Sequence, residues 1–336
     1  RKKNKFYSGS VYSEIMPYED NIKMLNEFIQ QPLQGLISNG EQLMKIRSLL
    51  VDYDIYIFHF GCSILGGLDD LQLLKQLGKK TICVFHGSDL RTRSSYELYC
   101  KNYGLTHHIP DRLHTCPERA LNQNMRLLRL AELHADAVFS VPSVMPLSLK
   151  PYFQSYLPLD VSNISEEIPA RDVPIIIHAP SNSAKKGTTK IVAALKELKQ
   201  EGIKFEFILI ENTDNEAVLK HLTNADIAID QLYAAMPATF ALEAMAAGCA
   251  VICGNRPNVQ PYPVDKPCIG ADPKTIKASL KELISIKNLR IQLASKGRDY
   301  VQKWHKPEVS VSRLLDGLSR SENDDYDIYP SLFINK

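Results

Sequence analysis

Three clusters of residues in this 336-residue chain have types and spacing suited to chemistry. The first is Glu243, the one carboxylate in an apolar, small-residue run from Phe240 to Ala247 that is closed by Gly248 and followed by Ala250–Cys253. Pro237 gives up an amide that has no partner in a first helical turn, and Gly248 can take the left-handed conformation after the last one. The segment therefore reads as a helix between those two residues, followed by a buried strand. Glu243 is either a solvated surface carboxylate or one held in a crevice, where it accepts hydrogen bonds from a ligand's hydroxyls. In the second case the free amides near Ala238, Thr239 and Phe240 would face an anion. The second cluster is Lys185-Lys186-Gly187 with Asn182 just before it, on a loop between the apolar Ile175–His178 and a helix over 190–200. Adjacent lysines in a loop are either solvated or placed to meet a phosphate. The third is His86-Gly87-Ser88-Asp89, directly after Ile82-Cys83-Val84-Phe85. It is either a turn capped by Ser88 or Asp89, or a His and an Asp presented into a cleft, where imidazole can bond a hydroxyl or relay a proton.

The segment from Thr239 to Gly254 resembles the donor-site segment of retaining glycosyltransferases of the GT-B fold, glycosyltransferase family 4 in particular. There a Glu is followed by Ala-Met-Ala-x-Gly and a hydrophobic strand, as at Glu243-Ala244-Met245-Ala246-Ala247-Gly248. The resemblance implies that Glu243 contacts the ribose of a nucleotide-sugar. It implies that Lys186-Gly187, with Lys185, Asn182 and the amides at Thr239 and Phe240, holds the diphosphate. His86 would then lie near the transferred sugar. A pair of motifs, His59-Phe60-Gly61 and Phe85-His86-Gly87-Ser88-Asp89, is similar to those of bacterial surface-glycan glycosyltransferases of polysaccharide biosynthesis, placing Gly61 and Ser88 on the acceptor side with His86 and Asp89 as catalytic candidates. The chain also departs from the family. A second Glu usually stands eight residues before the first, in a glycine-containing loop, and here Ala235-Met236-Pro237-Ala238 occupies that place; the family's Arg near the diphosphate is replaced by Ser181 or Ser183. Lys185 could substitute as a charge but not as a bidentate fork.

The elements that must position these groups alternate. Strands are expected at Ile55–Phe60, Thr81–Phe85, Ala137–Val141, Ile175–His178, Phe205–Ile210, Ile227–Asp230 and Ala250–Cys253, and helices at 68–77, 117–134, 190–200, 215–222, 237–248, 273–286, 289–304 and 307–318. Strand-helix alternation argues for parallel, doubly wound sheets, whose ligands collect at the carboxyl ends of the strands. The expected fold class is thus α/β, and the resemblance implies GT-B, two Rossmann-like domains facing across a cleft. The proline-rich stretch 142–174 reads as an interdomain linker, giving an acceptor-side domain over 1–158, a nucleotide-sugar domain over 159–306, and a crossover helix with its tail over 307–336. Helical spacing is visible at 18–31 and 40–50, but no first strand is evident before it. Residues 91–118 read as a polar loop or lid, and Asp230–Tyr233 is expected over the nucleotide base. The tail after Ser321, acidic and then aromatic, is expected to pack on a surface.

Composition excludes several classes. The hydrophobic fraction is 44%, the charged fraction 23% and the formal net charge +2, so bulk electrostatics points to no nucleic-acid partner. No apolar run reaches the roughly 18 residues of a membrane-spanning helix. The start, Arg1-Lys2-Lys3, is not that of a signal peptide and is compatible with a truncated one. Seven cysteines without a C-x-x-C pair fit reduced thiols and a cytoplasmic location better than disulfides or zinc. Neither a metal site nor a cofactor is expected, and His107, His108 and His114 lack ligand spacing.

The leading expectation is a retaining, metal-independent, hexosyltransferase-like enzyme that moves a sugar from a nucleotide-sugar to a glycan or lipid-linked acceptor. Peripheral membrane contact, self-association and a transferase partner are all compatible with it. The alternatives are a non-catalytic GT-B partner of an active transferase, on the strength of the lost Glu and Arg, and a metal-dependent transferase using Asp52-Tyr53-Asp54 or Asp325-Tyr326-Asp327.

Overall fold

The computed structural model describes residues 6–8, 53–64, 67–87, 89–102, 117, 120–168, 171–255 and 265–330. The helical spacing at 18–31 and 40–50, Ser88, and His107, His108 and His114 lie outside the described residues. The chain divides into two compact units, the first formed by residues 1–98, 115–155 and 311–336, the second by 99–114 and 156–310.

The first unit holds five strands, β1 (Phe6–Ser8), β2 (Ile55–His59), β3 (Lys80–Val84), β4 (Ala137–Ser140) and β5 (Phe153–Gln154). All neighbours are parallel and the spatial order follows the chain, β1-β2-β3-β4-β5. Right-handed crossovers between strands that advance in one direction put their helices on one face. Helices Leu71–Gln76 and Leu121–His134 accordingly pack on each other. The last helix, Pro307–Ser321, covers the other face: Leu314 and Leu318 form one buried cluster with Ile57, Ile82, Val84, Phe139 and Phe153. The tail then turns back. Ile328 bridges to Tyr152, and the Tyr326 ring lies 5.0 Å from that of Phe153. Asp325 and Asp327 are both engaged by Arg320, at 2.8 and 2.9 Å, so this D-x-D pair serves to hold the tail.

In the second unit β6 (Ile175–His178), β7 (Glu206–Leu209), β8 (Ile227–Ile229), β9 (Ala250–Cys253) and β10 (Cys268–Gly270) form a parallel sheet in the order β7-β6-β8-β9-β10. Strand order reverses between β6 and β8, which is the doubly wound arrangement that leaves a crevice beyond the carboxyl ends of those two strands. Both faces of the central strands β6, β8 and β9 are buried, and alternate residues go to opposite sides. Ile176, Ile227, Ile229 and Ile252 meet helices Thr188–Gln200 and Ile276–Ser285, while Ile177, Ala228 and Val251 meet Asn215–Leu222, Thr239–Ala246 and Gly297–His305.

Four local expectations are revised. The polar stretch from Arg91 contains a helix, Arg93–Asn102, started by a reciprocal cap in which the Thr92 amide donates to Ser95 Oγ (3.0 Å) and the Ser95 amide to Thr92 Oγ1 (3.2 Å). Its exposed, charged surface hid the periodicity. The linker stretch contributes β5, and the first strand, β1, is a three-residue piece too short to stand out. The helix expected over 289–304 is two, Lys287–Ala294 and Gly297–His305. At the break, a Cβ on Gly297 would come within 2.3 Å of the Met245 carbonyl oxygen, so this glycine lets the last of these helices press on the one that carries Glu243.

Candidate functional site

The crevice at the β6/β8 switch point is built from residues at the ends of the two strands. His178 is the last residue of β6 and Asp230 follows β8 directly. The imidazole of His178 lies 2.7 Å from the Ile229 carbonyl through Nδ1 and 2.9 Å from Thr188 Oγ1 through Nε2. A carbonyl only accepts, so Nδ1 carries the proton and Nε2 accepts from the threonine hydroxyl. Burial lowers the His178 pKa, in keeping with this neutral form. His178 thereby ties β6, β8 and the start of helix Thr188–Gln200 together.

The loop after β6 enters a single helical turn, Ser183–Lys186, capped by Asn182, whose Oδ1 accepts the Lys185 amide at 3.0 Å. Gly187 ends that turn at φ +84° and starts the next helix; a Cβ there would meet Leu232 and Tyr233 at 3.3 Å, so both the backbone and the space require glycine. The Leu232 amide donates to the Lys186 carbonyl at 3.1 Å, which joins this loop to the one after β8. Lys186 reaches inward, its Nζ 2.8 Å from Asp230 Oδ1, and the Asp230 side chain is 1% exposed. The other carboxylate oxygen of Asp230 accepts the Ala238 amide at 3.3 Å. One of the three ammonium protons of Lys186 is thus committed, and the others remain to meet a ligand. Lys185 is half-buried and, among the described residues, its ammonium has no ion-pair partner.

Helix Thr239–Ala246 begins beside Asp230 with Ala238 in extended conformation and no side-chain cap, so its first amides keep their donor capacity and the positive end of the helix dipole. Thr239 is exposed and Phe240 half-buried against the core. Glu243, one turn further on, is 7% exposed and accepts from Asn215 Nδ2 at 3.2 Å. Burial raises its pKa; the bond from Asn215 opposes that shift, the Asp230 charge adds to it and Lys186 opposes it. Lys186, Asp230 and Glu243 are therefore one electrostatic group. Ala235, standing where the family's earlier Glu is expected, is buried in a loop held by the Gly254 amide, which donates to the Gln231 carbonyl at 2.7 Å.

Of the residues singled out in the sequence, Asn182, Lys185, Lys186, Gly187, Thr239, Phe240 and Glu243 all lie in this second-unit site. Asp230 is the buried counter-ion of Lys186. His178, Thr188 and Asn215 were not singled out. A polar residue closing an otherwise apolar strand, as in Ile175-Ile176-Ile177-His178 and Ile227-Ala228-Ile229-Asp230, is the signal that marks two of the positions.

Gly61, His86 and Asp89 lie at the carboxyl edge of the first unit's sheet. Asp89 accepts the amides of His86 (2.9 Å) and Gly87 (2.6 Å), which is the capped turn of the two readings offered for this segment. His86 Nε2 lies 2.8 Å from His59 Nδ1, and the two nearly coplanar rings meet edge to edge with centroids 5.1 Å apart. Phe60, 52% exposed and at φ +55°, lays its ring 4.4 Å from that of His86, and Gly61 follows at φ +64°. Burial lowers the pKa of His59 to about 3, with the neighbouring His86 adding to the effect. Burial also lowers that of His86, against the field of Asp89. Among the described residues no group of three His, Cys, Asp or Glu side chains is disposed to hold a metal ion, and no helix is long and apolar enough to cross a membrane.

No family model matches the sequence, and no curated protein matches it either. Solved structures do match. Sucrose-phosphate synthase from Thermosynechococcus elongatus superposes with a TM-score of 0.55 at 14% identity, over 92% of this chain and 81% of that one. Anabaena HepE in complex with UDP gives 0.53 at 12% identity, over 90% and 89%. The UDP-forming trehalose-phosphate synthase from Burkholderia xenovorans gives 0.53 at 10% identity, over 83% and 76%. The chain has the GT-B fold. In GT-B terms the second unit is the doubly wound one whose switch point carries the lysines and Glu243, and the first is the one whose strand ends carry the two histidines.

Proposed function

We propose that the chain is a glycosyltransferase that takes a sugar from a nucleoside-diphosphate donor and transfers it, with retention and without a metal ion, to a glycan or lipid-linked acceptor. The observation that carries this reading is the grouping of Lys186, Asp230, Glu243 and an uncapped helix start at the switch point of a doubly wound sheet. Glu243 accepts the ribose hydroxyls, exchanging its single bond from Asn215 for bonds to the donor. Lys185, Lys186 and the amides of Thr239 and Phe240 take the diphosphate. As the bond between the anomeric carbon and the phosphate oxygen breaks, the leaving diphosphate gains negative charge, so these cations and amides stabilise the transition state more than the ground state. They do so from positions already fixed by Asp230, Asn182 and Gly187, with no reorganisation at the moment of reaction. His86 faces the transferred sugar or acceptor hydroxyl, and Gly61 and Ser88 contribute on the acceptor side; Asp89 holds the turn that presents the imidazole. The UDP bound to a structural neighbour makes UDP the first nucleotide to try.

A thermal-shift screen of the intact chain against UDP, GDP, ADP and their sugars, with and without a chelator, tests this reading, because a ligand that binds only the folded state raises its apparent stability. A shift with one diphosphate that is indifferent to chelator is the expected result. No shift with any of them, together with a stable complex with another transferase, would instead favour a non-catalytic GT-B partner.

A further inference from the structure

The His59–His86 contact has a consequence for which face of His86 can act. An imidazole has two nitrogens, and Nε2 of His86 is taken by Nδ1 of His59 at 2.8 Å. Two neutral imidazoles joined in this way share one N–H: if His59 donates, His86 carries its own proton on Nδ1, and if His86 donates, its Nδ1 is a bare acceptor. In both cases Nδ1 is the only ring nitrogen of His86 left for a ligand.

Rotation of the His86 ring to present the other nitrogen is opposed by His59 and Phe60. His59 is the last residue of β2, is 4% exposed, and lies parallel to the His86 ring at an interplanar angle of 15°. Phe60 is an aromatic residue held in the left-handed region, which such residues rarely adopt, and its ring meets the His86 imidazole. The strained turn after β2 is the kind of backbone cost that persists where the surroundings over-determine it. From the loop after β3, Asp89 fixes the backbone on which the His86 imidazole stands, and the Arg91 guanidinium lies against Gly87.

We propose that His59 is a positioning residue: by occupying Nε2 of His86 edge to edge, it presents His86 Nδ1 to the acceptor or donor-sugar hydroxyl. This inference rests on the proposed transferase reading only for its kinetic part.

The test uses the full chain with 15N-labelled histidine. Two-bond 1H–15N spectra report the tautomer of each ring, and the variants are His59→Phe, which keeps an aromatic ring at this position and loses the nitrogen, and His59→Asn, whose side-chain amide places a hydrogen-bonding group where Nδ1 stood. In the unsubstituted protein one tautomer is expected for His86, with a hydrogen-bonded Nε2. In His59→Phe the tautomers should mix and turnover fall about tenfold, with the KM for the nucleotide-sugar unchanged; in His59→Asn the single tautomer and part of the turnover should return. A His86 spectrum unchanged by His59→Phe would overturn the positioning role. So would full turnover in that variant. Should the chain transfer no sugar at all, the transferase reading fails while the tautomer spectra still decide the pairing.

Discussion

The two units place polar residues at the same edge of a parallel sheet and treat them in opposite ways. In the second unit the order of strands reverses, a crevice opens between β6 and β8, and charge is concentrated there: a lysine pinned by a buried aspartate, and a glutamate with one amide partner. In the first the described strands advance without reversal, and the edge carries two neutral imidazoles that meet edge to edge beside the Phe60 ring. A diphosphate needs fixed positive charge, and fixed charge in a protein needs a counter-ion beneath it. A hydroxyl that gains or loses a proton is better served by a group with no net charge and a defined free nitrogen. The contrast makes the units separable by mutation.

The largest effect should come from breaking the ion pair. Lys186→Ala leaves the Asp230 carboxylate buried and unpaired, and should cost about 3–5 kcal/mol of stability as well as nucleotide binding, read by urea unfolding and by titration with UDP. In the first unit, His86→Ala should leave donor affinity nearly intact and lower turnover by about 10²-fold, measured as kcat and KM separately. That split between binding in one unit and rate in the other is the sharpest form of the comparison.

Next in size is a pH effect confined to the histidine edge. His59 and His86 both have native pKa values below the unfolded value of about 6.5, His59 at about 3, so the unfolded chain binds more protons as the pH falls. Their contribution to stability is complete above pH 6.5 and is lost progressively down toward pH 3. His59→Phe should therefore flatten the fall in melting temperature between pH 7 and pH 4.5, followed by differential scanning calorimetry.

The smallest effect has the opposite sign. Burial raises the pKa of Glu243, so its ionisation opposes folding above the unfolded value near 4.5. Glu243→Gln should stabilise the ligand-free protein at pH 7, a gain that disappears near pH 4.5, while weakening nucleotide-sugar binding. A variant that is more stable and binds less well would mark Glu243 as a group retained for its ligand.

Much of this was legible in the sequence because apolar strands such as Ile82–Phe85 and Ala250–Cys253 are bounded by glycine and polar residues, and buried parallel strands leave little else to read. The helix bearing Glu243 was legible for the same reason, since seven small or apolar residues around one carboxylate have few alternatives. What stayed hidden was pairing across the chain. Nothing in the local sequence joins Lys186 to Asp230, forty-four residues on, or His59 to His86; those contacts follow from the order of strands, which topology decides. The helix Arg93–Asn102 was missed because its residues face water on much of its surface, and the split at Gly297 because only the packed neighbour, Met245, reveals why a glycine stands there.

The proposed donor site at the β6/β8 switch point is tested most directly by calorimetric titration of UDP, then GDP and ADP, into the intact chain and into Glu243→Gln and Lys186→Met. One nucleotide is expected to bind at a single site, with affinity lowered tenfold or more in each variant and unchanged by chelator. Binding of equal strength in both variants would place the nucleotide elsewhere and contradict the account.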